Sequence, residues 1–88
     1  VMFVNLGEEE QLASMRIIRD LRDKGIAAEI YPESVKMKKQ MEYANRRLIP
    51  YVVIIGSNEL VEKKATVKNM RTGEQAVVDF DAVAEALA

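Results

Sequence analysis

At 88 residues the chain has room for one small domain with a single α/β core, and its balance of 49% hydrophobic and 31% charged residues is that of a globular chain rather than a disordered one. No apolar run approaches the ~20 residues of a membrane span, and no basic stretch leads into an apolar one as in a secretory signal. There is no Cys and no His, which excludes disulfides, thiolate nucleophiles, Cys/His zinc sites and the commonest general base, and is consistent with a cytosolic origin.

The chain opens on Val1-Met2-Phe3-Val4 without an initiator Met, as expected of a domain cut from a longer protein. Residues 1–6 are almost continuously apolar and end at Gly7, which predicts a buried strand. Glu8 to Lys24 reads as a helix with an apolar stripe of Leu12, Met15, Ile18 and Leu21, and with Ile17 beside them. Acids fill its first turn, Lys24 ends it and Gly25 stops it. Ile26 to Tyr31 is a short strand closed by Pro32, and Glu29 within it places it near an edge. A second helix is expected from a Ser34 cap to about Arg47, with Met37, Met41, Ala44 and Leu48 facing the core. Pro50 forces Ile49 to be extended, and Tyr51 to Ile55 is the most apolar strand candidate. Ser57 can cap a short helix through Glu62. Ala65–Met70 and Gln75–Phe80 read as two strands joined by a turn at Arg71-Thr72-Gly73-Glu74, and Asp81 can cap a last helix over Ala82–Leu87.

Three strands alternating with helices should be parallel with right-handed crossovers, and the terminal hairpin adds an antiparallel pair. The expected fold is therefore α/β, a three-layer sandwich around a mixed five-stranded sheet, with the first and third strands in the middle. Its topological switch point then lies beside Asn5-Leu6-Gly7 and Gly56-Ser57-Asn58-Glu59, where open α/β sheets bind ligands.

A net charge of −1 conceals a segregation. Glu33 to Arg47 carries five cations (Lys36, Lys38, Lys39, Arg46, Arg47) against two acids, whereas Gln75 to Ala88 carries three acids and no cation. On the second helix, Lys36, Lys39, Gln40, Tyr43 and Arg47 form a stripe set off from the core face. It combines cations for phosphates, an amide for a base edge and a ring for stacking. A plain solvated helix face, with Tyr43 folded toward the core margin, fits the same pattern. Glu59 can accept hydrogen bonds from base amino groups, or can simply favour the start of its helix. Lys68 can face the same groove, or can guard a strand edge. Gly7 is not a phosphate loop: no Walker lysine or G-x-G-x-x-G is present, and Glu8-Glu9-Glu10 would repel an anion. Successive acids on a helix point to different sides, so a metal site there is not expected, and no nucleophile–base pair is visible.

Three stretches carry a family resemblance. They are Leu21-Arg22-Asp23-Lys24-Gly25-Ile26-Ala27-Ala28-Glu29, Lys36-Met37-Lys38-Lys39-Gln40-Met41-Glu42-Tyr43-Ala44, and Thr66-Val67-Lys68-Asn69-Met70-Arg71-Thr72-Gly73-Glu74-Gln75. With them the whole chain resembles the C-terminal anticodon-binding domain of class II aminoacyl-tRNA synthetases, and the last two stretches resemble the histidyl branch. The resemblance implies that residues 1–88 are one non-catalytic domain, holding no cofactor, of a cytoplasmic, homodimeric ligase. That parent would use ATP and Mg²⁺ in a separate catalytic domain to esterify histidine to tRNA-His, with no DNA or membrane partner. It also implies anticodon contacts at Tyr31, Ser34, Lys36, Lys39, Glu59 and Lys68. Relatives often carry arginine at the position of Lys68, so two-pronged base recognition is not implied there. A regulatory or interaction domain of the same fold, in a paralogue without aminoacylation activity, is the alternative. On the nucleic-acid reading of the helix stripe, its cations and ring should make one continuous cradle with Glu59 and the sheet rim.

Overall fold

The computed structural model describes residues 1–87. Its elements follow the chain as β1 (Met2–Phe3), α1 (Glu8–Asp23), β2 (Glu29–Ile30), α2 (Met37–Arg46), β3 (Tyr51–Ile54), α3 (Ser57–Glu62), β4 (Lys64–Asn69), β5 (Gln75–Asp79), a 3-10 turn (Phe80–Ala82) and α4 (Val83–Leu87). The five strands form one sheet in the order β2-β1-β3-β4-β5. β1 is parallel to β2 and β3, while β3–β4 and β4–β5 are antiparallel. The mixed sheet, its interior β1 and β3, and β2 at an edge are as the alternation of apolar runs dictates.

Each strand sends alternate side chains to opposite faces, which splits the core in two. One face carries Phe3, Val53, Ala65 and Val67 and is covered by Ile17, Ile18 and Leu21 of α1 and Val83 of α4, with Leu60 of α3 at its margin. The other carries Met2, Val4 and Val52 and is covered by Ala44, Met37 and Met41 of α2. That second layer is a single ten-residue helix. The pairings Lys68↔Val52 and Thr66↔Ile54 place Lys68 and Thr66 on its side of the sheet.

Four local expectations change. The buried stripe of α1 is Ser14, Ile17, Ile18 and Leu21, while Leu12 and Met15 are exposed. Two apolar stripes share Ile18 and Leu21, and the strand it packs on selects one of them. The predicted caps are absent: α2 starts from Lys36, not Ser34, α3 from Gly56, not Ser57, and the 3-10 turn from Asp79, not Asp81, none with a side-chain cap bond. The strand-like ends of residues 1–6 and 26–31 are shorter in the ladder than their apolar runs.

The fourth change is Leu48, which is 86% exposed rather than in the core. α2 stops at Arg46, and Leu48 turns left-handed (φ 55°) so that Ile49 can pack inward ahead of Pro50. A left-handed conformation costs an L-residue roughly 1–2 kcal/mol. Leu48→Gly relieves that strain at the cost of a more flexible unfolded chain. The expected net gain is about 0.5–1 kcal/mol, read as a higher urea midpoint at unchanged m-value.

Both sheet edges differ in how they end. On β2, Arg22 Nε of α1 donates to the carbonyl of Ala28 at 3.1 Å, and Pro32 follows two residues after the strand. On β5, residues Gln75, Ala76 and Val77 are all exposed.

Candidate nucleic-acid interface

The ends of the parallel strands meet at one rim, and a small polar network builds it. Asn5, buried just beyond β1, donates from Nδ2 to the carbonyl of Tyr31 at 3.1 Å, and its Oδ1 accepts from the Gly7 N–H at 3.3 Å. This ties the ends of β1 and β2 to the start of α1. Gly7 has φ 147°, and a Cβ there would come within 3.0 Å of the Glu10 carboxylate, so only glycine suits this corner. The Asn5 backbone is in turn held by α2. Its N–H donates to Gln40 Oε1 at 2.7 Å, and its carbonyl accepts from Gln40 Nε2 at 2.8 Å. The same amide nitrogen donates to the Val35 carbonyl at 2.9 Å.

Gln40 therefore does not read a base. It is 0% exposed and all its bonding is internal. At ~100° per residue it lies where the apolar stripe of α2 gives way to the polar one. A buried amide and a solvated amide are indistinguishable there until the unpaired backbone of Asn5 is seen opposite.

Tyr31, Tyr43 and Arg47 form a second group. The Tyr31 and Tyr43 rings meet edge to face, with centroids 5.2 Å apart and planes at 80°. The Arg47 guanidinium lies 5.4 Å from the Tyr43 ring centroid, and its Nε donates to the Tyr43 hydroxyl at 3.3 Å. That hydroxyl pushes the Arg47 pKa further up, so the guanidinium stays charged. Arg47 is exposed. Lys36 lies on the same flank one rim higher, and Lys39 points outward beside it, both exposed. Ser34 is exposed in the connection before α2 and makes no side-chain bond among the described residues.

Glu59 sits in the first turn of α3, beyond the end of β3, and is half-buried. Its carboxylate folds back over Gly56, so that a Cβ on that glycine would stand 3.4 Å from Oε2. Lys68 is half-buried on β4, beside Thr66 on the sheet face that α2 leaves bare. Among the described residues the salt bridge present joins Lys24 to Asp20, so Lys36, Lys39, Arg47 and Lys68 make no direct ion pair with an acid, although the charge of Glu29 acts on Arg47 from further away.

These residues do not make one continuous cradle. Tyr43 packs on Tyr31 at the β2 side of α2, whereas Asn45 and Ala44 line a cleft with Met70 and Arg71 on the β4 side. Helix α2 thus stands as a wall between Lys36, Tyr43 and Arg47 on one flank and Lys68 on the other. Lys36 and Glu59 share the rim above it. On the β4 flank the helix presents Lys38, which the apolar periodicity assigned to neither stripe. Thr66, Gln75 and Lys64 extend that flank across the bare sheet. The right-handed β2–α2–β3 crossover was the available signal, because it fixes which flank of α2 faces which strand.

The family model described as "Anticodon binding domain" matches residues 1–88, the whole chain. The chain belongs to the anticodon-binding domain family. A histidine–tRNA ligase of Christiangramia forsetii is 49% identical over 87 residues, 99% of this chain and 19% of that protein. One of Phocaeicola vulgatus is 51% identical over 81 residues, 92% of this chain and 18% of its own length. The crystal structure of histidyl-tRNA synthetase from Nostoc sp. PCC 7120 superposes with a TM-score of 0.90 at 28% identity, covering 98% of this chain and 20% of that one. The chain spans about a fifth of the length of the relatives it matches. No helix among the described residues is long and apolar enough to cross a membrane.

Proposed function

We propose that this chain is the tRNA-recognition domain of a longer histidine–tRNA ligase and binds the anticodon loop of tRNA-His. The observation that carries the reading is that nearly the whole chain aligns, at about half identity, with one fifth of proteins bearing that name. The geometry supplies what such a loop needs: cations free of direct ion pairs, an aromatic pair at the sheet edge and a carboxylate at the rim. The split by α2 suits unstacked nucleotides, which can pass over the helix start and be held on both flanks. Tyr31, Ser34, Lys36, Lys39, Tyr43, Arg47 and Lys68 contact the loop on this reading, and Glu59 reads a base. The parent enzyme is cytoplasmic and homodimeric, and handles histidine, ATP and Mg²⁺ in its separate catalytic domain.

An anticodon stem-loop titrated with the chain over a range of salt tests this. Each phosphate contact contributes about one unit to the slope of log K against log salt. Lys36→Ala and Lys39→Ala are each expected to weaken matched and mismatched stem-loops alike and to lower that slope by about 0.7, the single-strand value. Undetectable or salt-insensitive binding would instead favour a protein-interaction role for the same fold.

A further inference from the structure

The β4–β5 ladder has a definite hydrogen-bond phase. At one end the Asn69 N–H donates to the Glu74 carbonyl at 2.8 Å, and at the other the Phe80 N–H donates to the Lys63 carbonyl at 3.1 Å. Both pairs fit the register Lys68↔Gln75 through Lys64↔Asp79. Antiparallel pairs alternate between bonded and non-bonded. Val67–Ala76 and Ala65–Val78 are therefore the bonded pairs between those ends. The N–H and C=O groups of Gln75, Val77 and Asp79 must point the other way, off the open edge of the sheet.

This edge has few of the devices that discourage pairing. Gln75-Ala76-Val77-Val78-Asp79 contains no Pro, no Gly and no Lys, and Val77 is 62% exposed. From this edge we propose that β5 pairs with β5 of a second copy, antiparallel about a two-fold axis at Val77.

The register is fixed by the free groups. Centred on Val77, the bonded pairs are Val77 with its counterpart, and Gln75 with Asp79 twice over, which uses every outward group of all three residues on both copies. A shift by one residue would bring bonded positions against non-bonded ones and use none of them. The side chains agree with this arrangement. On the face beneath α4, Ala76 meets Val78 of the other copy, and Val78 already packs against the core. On the opposite face, Asp79 falls between its own cross-strand neighbour Lys64 and the Gln75 of the other copy, whose own neighbour is Lys68. No like charges stand opposed. The central row is Thr66, Val77, Val77 and Thr66, a β-branched pairing suited to a strand contact. Such a contact is isologous and closed. A second copy is the occupant because this strand is complementary to itself in hydrogen bonding and apolar shape, and its one charge, Asp79, meets a neutral Gln75 beside a cross-strand lysine.

Sedimentation of the 88-residue chain without RNA, from micromolar to millimolar concentration, reads the result. The unaltered chain is expected to show a concentration-dependent monomer–dimer equilibrium. Val77→Lys sets two cations face to face at the axis and should raise the dissociation constant roughly tenfold or more. Val77→Pro removes an outward N–H without taking a bond from the β4–β5 ladder, and should do likewise. Amide exchange in the unaltered chain keeps the test independent of any variant's folding: the N–H groups of Gln75, Val77 and Asp79 should gain protection as concentration rises. A monomer at every concentration overturns the proposal. So does a dimer that leaves these three amides unprotected, or one that folded Val77→Lys and Val77→Pro chains form equally well.

Discussion

Gln40→Ala is expected to remove about 4 kcal/mol of folding stability, the largest single loss on the polar side of the fold. Three hydrogen bonds disappear at a site with no exposure. The Asn5 N–H and the Asn5 and Val35 carbonyls are left without partners, each costing about 1–3 kcal/mol when water cannot reach it. Truncation also opens space in the core. Against a net stability of ~5–15 kcal/mol, that places the variant near unfolding at ambient temperature. Urea titration reads it directly, and a loss under ~1 kcal/mol would mean that water substitutes freely for the amide. Gln40→Glu sharpens the point. A carboxylate there would face two carbonyl oxygens, so burial and like dipoles raise its folded pKa above the ~4.3 of an unfolded glutamate. Below ~4.3 both states are protonated and the penalty is smallest. As pH rises from there toward the folded pKa, the unfolded state loses its proton first, and stability falls until both states are ionised. The variant should therefore be least stable relative to the unaltered chain at neutral pH.

Glu59→Gln should change which stem-loop binds, not how strongly the fold holds. The swap is isosteric and half-exposed, so folding stability should move by no more than about 0.5–1 kcal/mol, through the lost charge at the start of α3. A carboxylate accepts from base amino groups and donates to nothing, whereas an amide does both. Discrimination between matched and mismatched anticodons should shift by about 1–3 kcal/mol, roughly 5- to 150-fold. The Lys36 and Lys39 variants provide the contrast, since phosphate contacts carry no sequence. Equal losses for matched and mismatched loops with Glu59→Gln would remove this side chain from base reading.

The alternation of apolar runs was enough to place the first and third strands inside the sheet, the second near an edge and the helices in layers on both faces, because connection handedness and strand apolarity leave few alternatives. The family resemblance was likewise carried by contiguous stretches. Local choices decided by tertiary partners were not legible. Periodicity on α1 fits two stripes, and only packing against the sheet selects Ser14 and Ile17 over Leu12 and Met15. Leu48 continues the spacing of the α2 core face, yet the helix ends before it and the chain must reverse ahead of Pro50. Gln40 looks polar in sequence and is core in structure, because its partners are backbone groups that a residue pattern cannot display. The cradle failed for a different reason. Residues that share a chemistry were grouped without asking which flank of α2 each one occupies.

The bond from Arg22 to the Ala28 carbonyl has a consequence for assembly. Along β2 it leaves the Ile30 amide and carbonyl as the outward pair between a capped carbonyl and Pro32. That margin is too short to template another strand, so the sheet is sealed on one side and live on the other. Any extension of the sheet itself therefore terminates after one step: once two β5 edges have joined, both outer edges are β2, and no further chain can add by strand pairing.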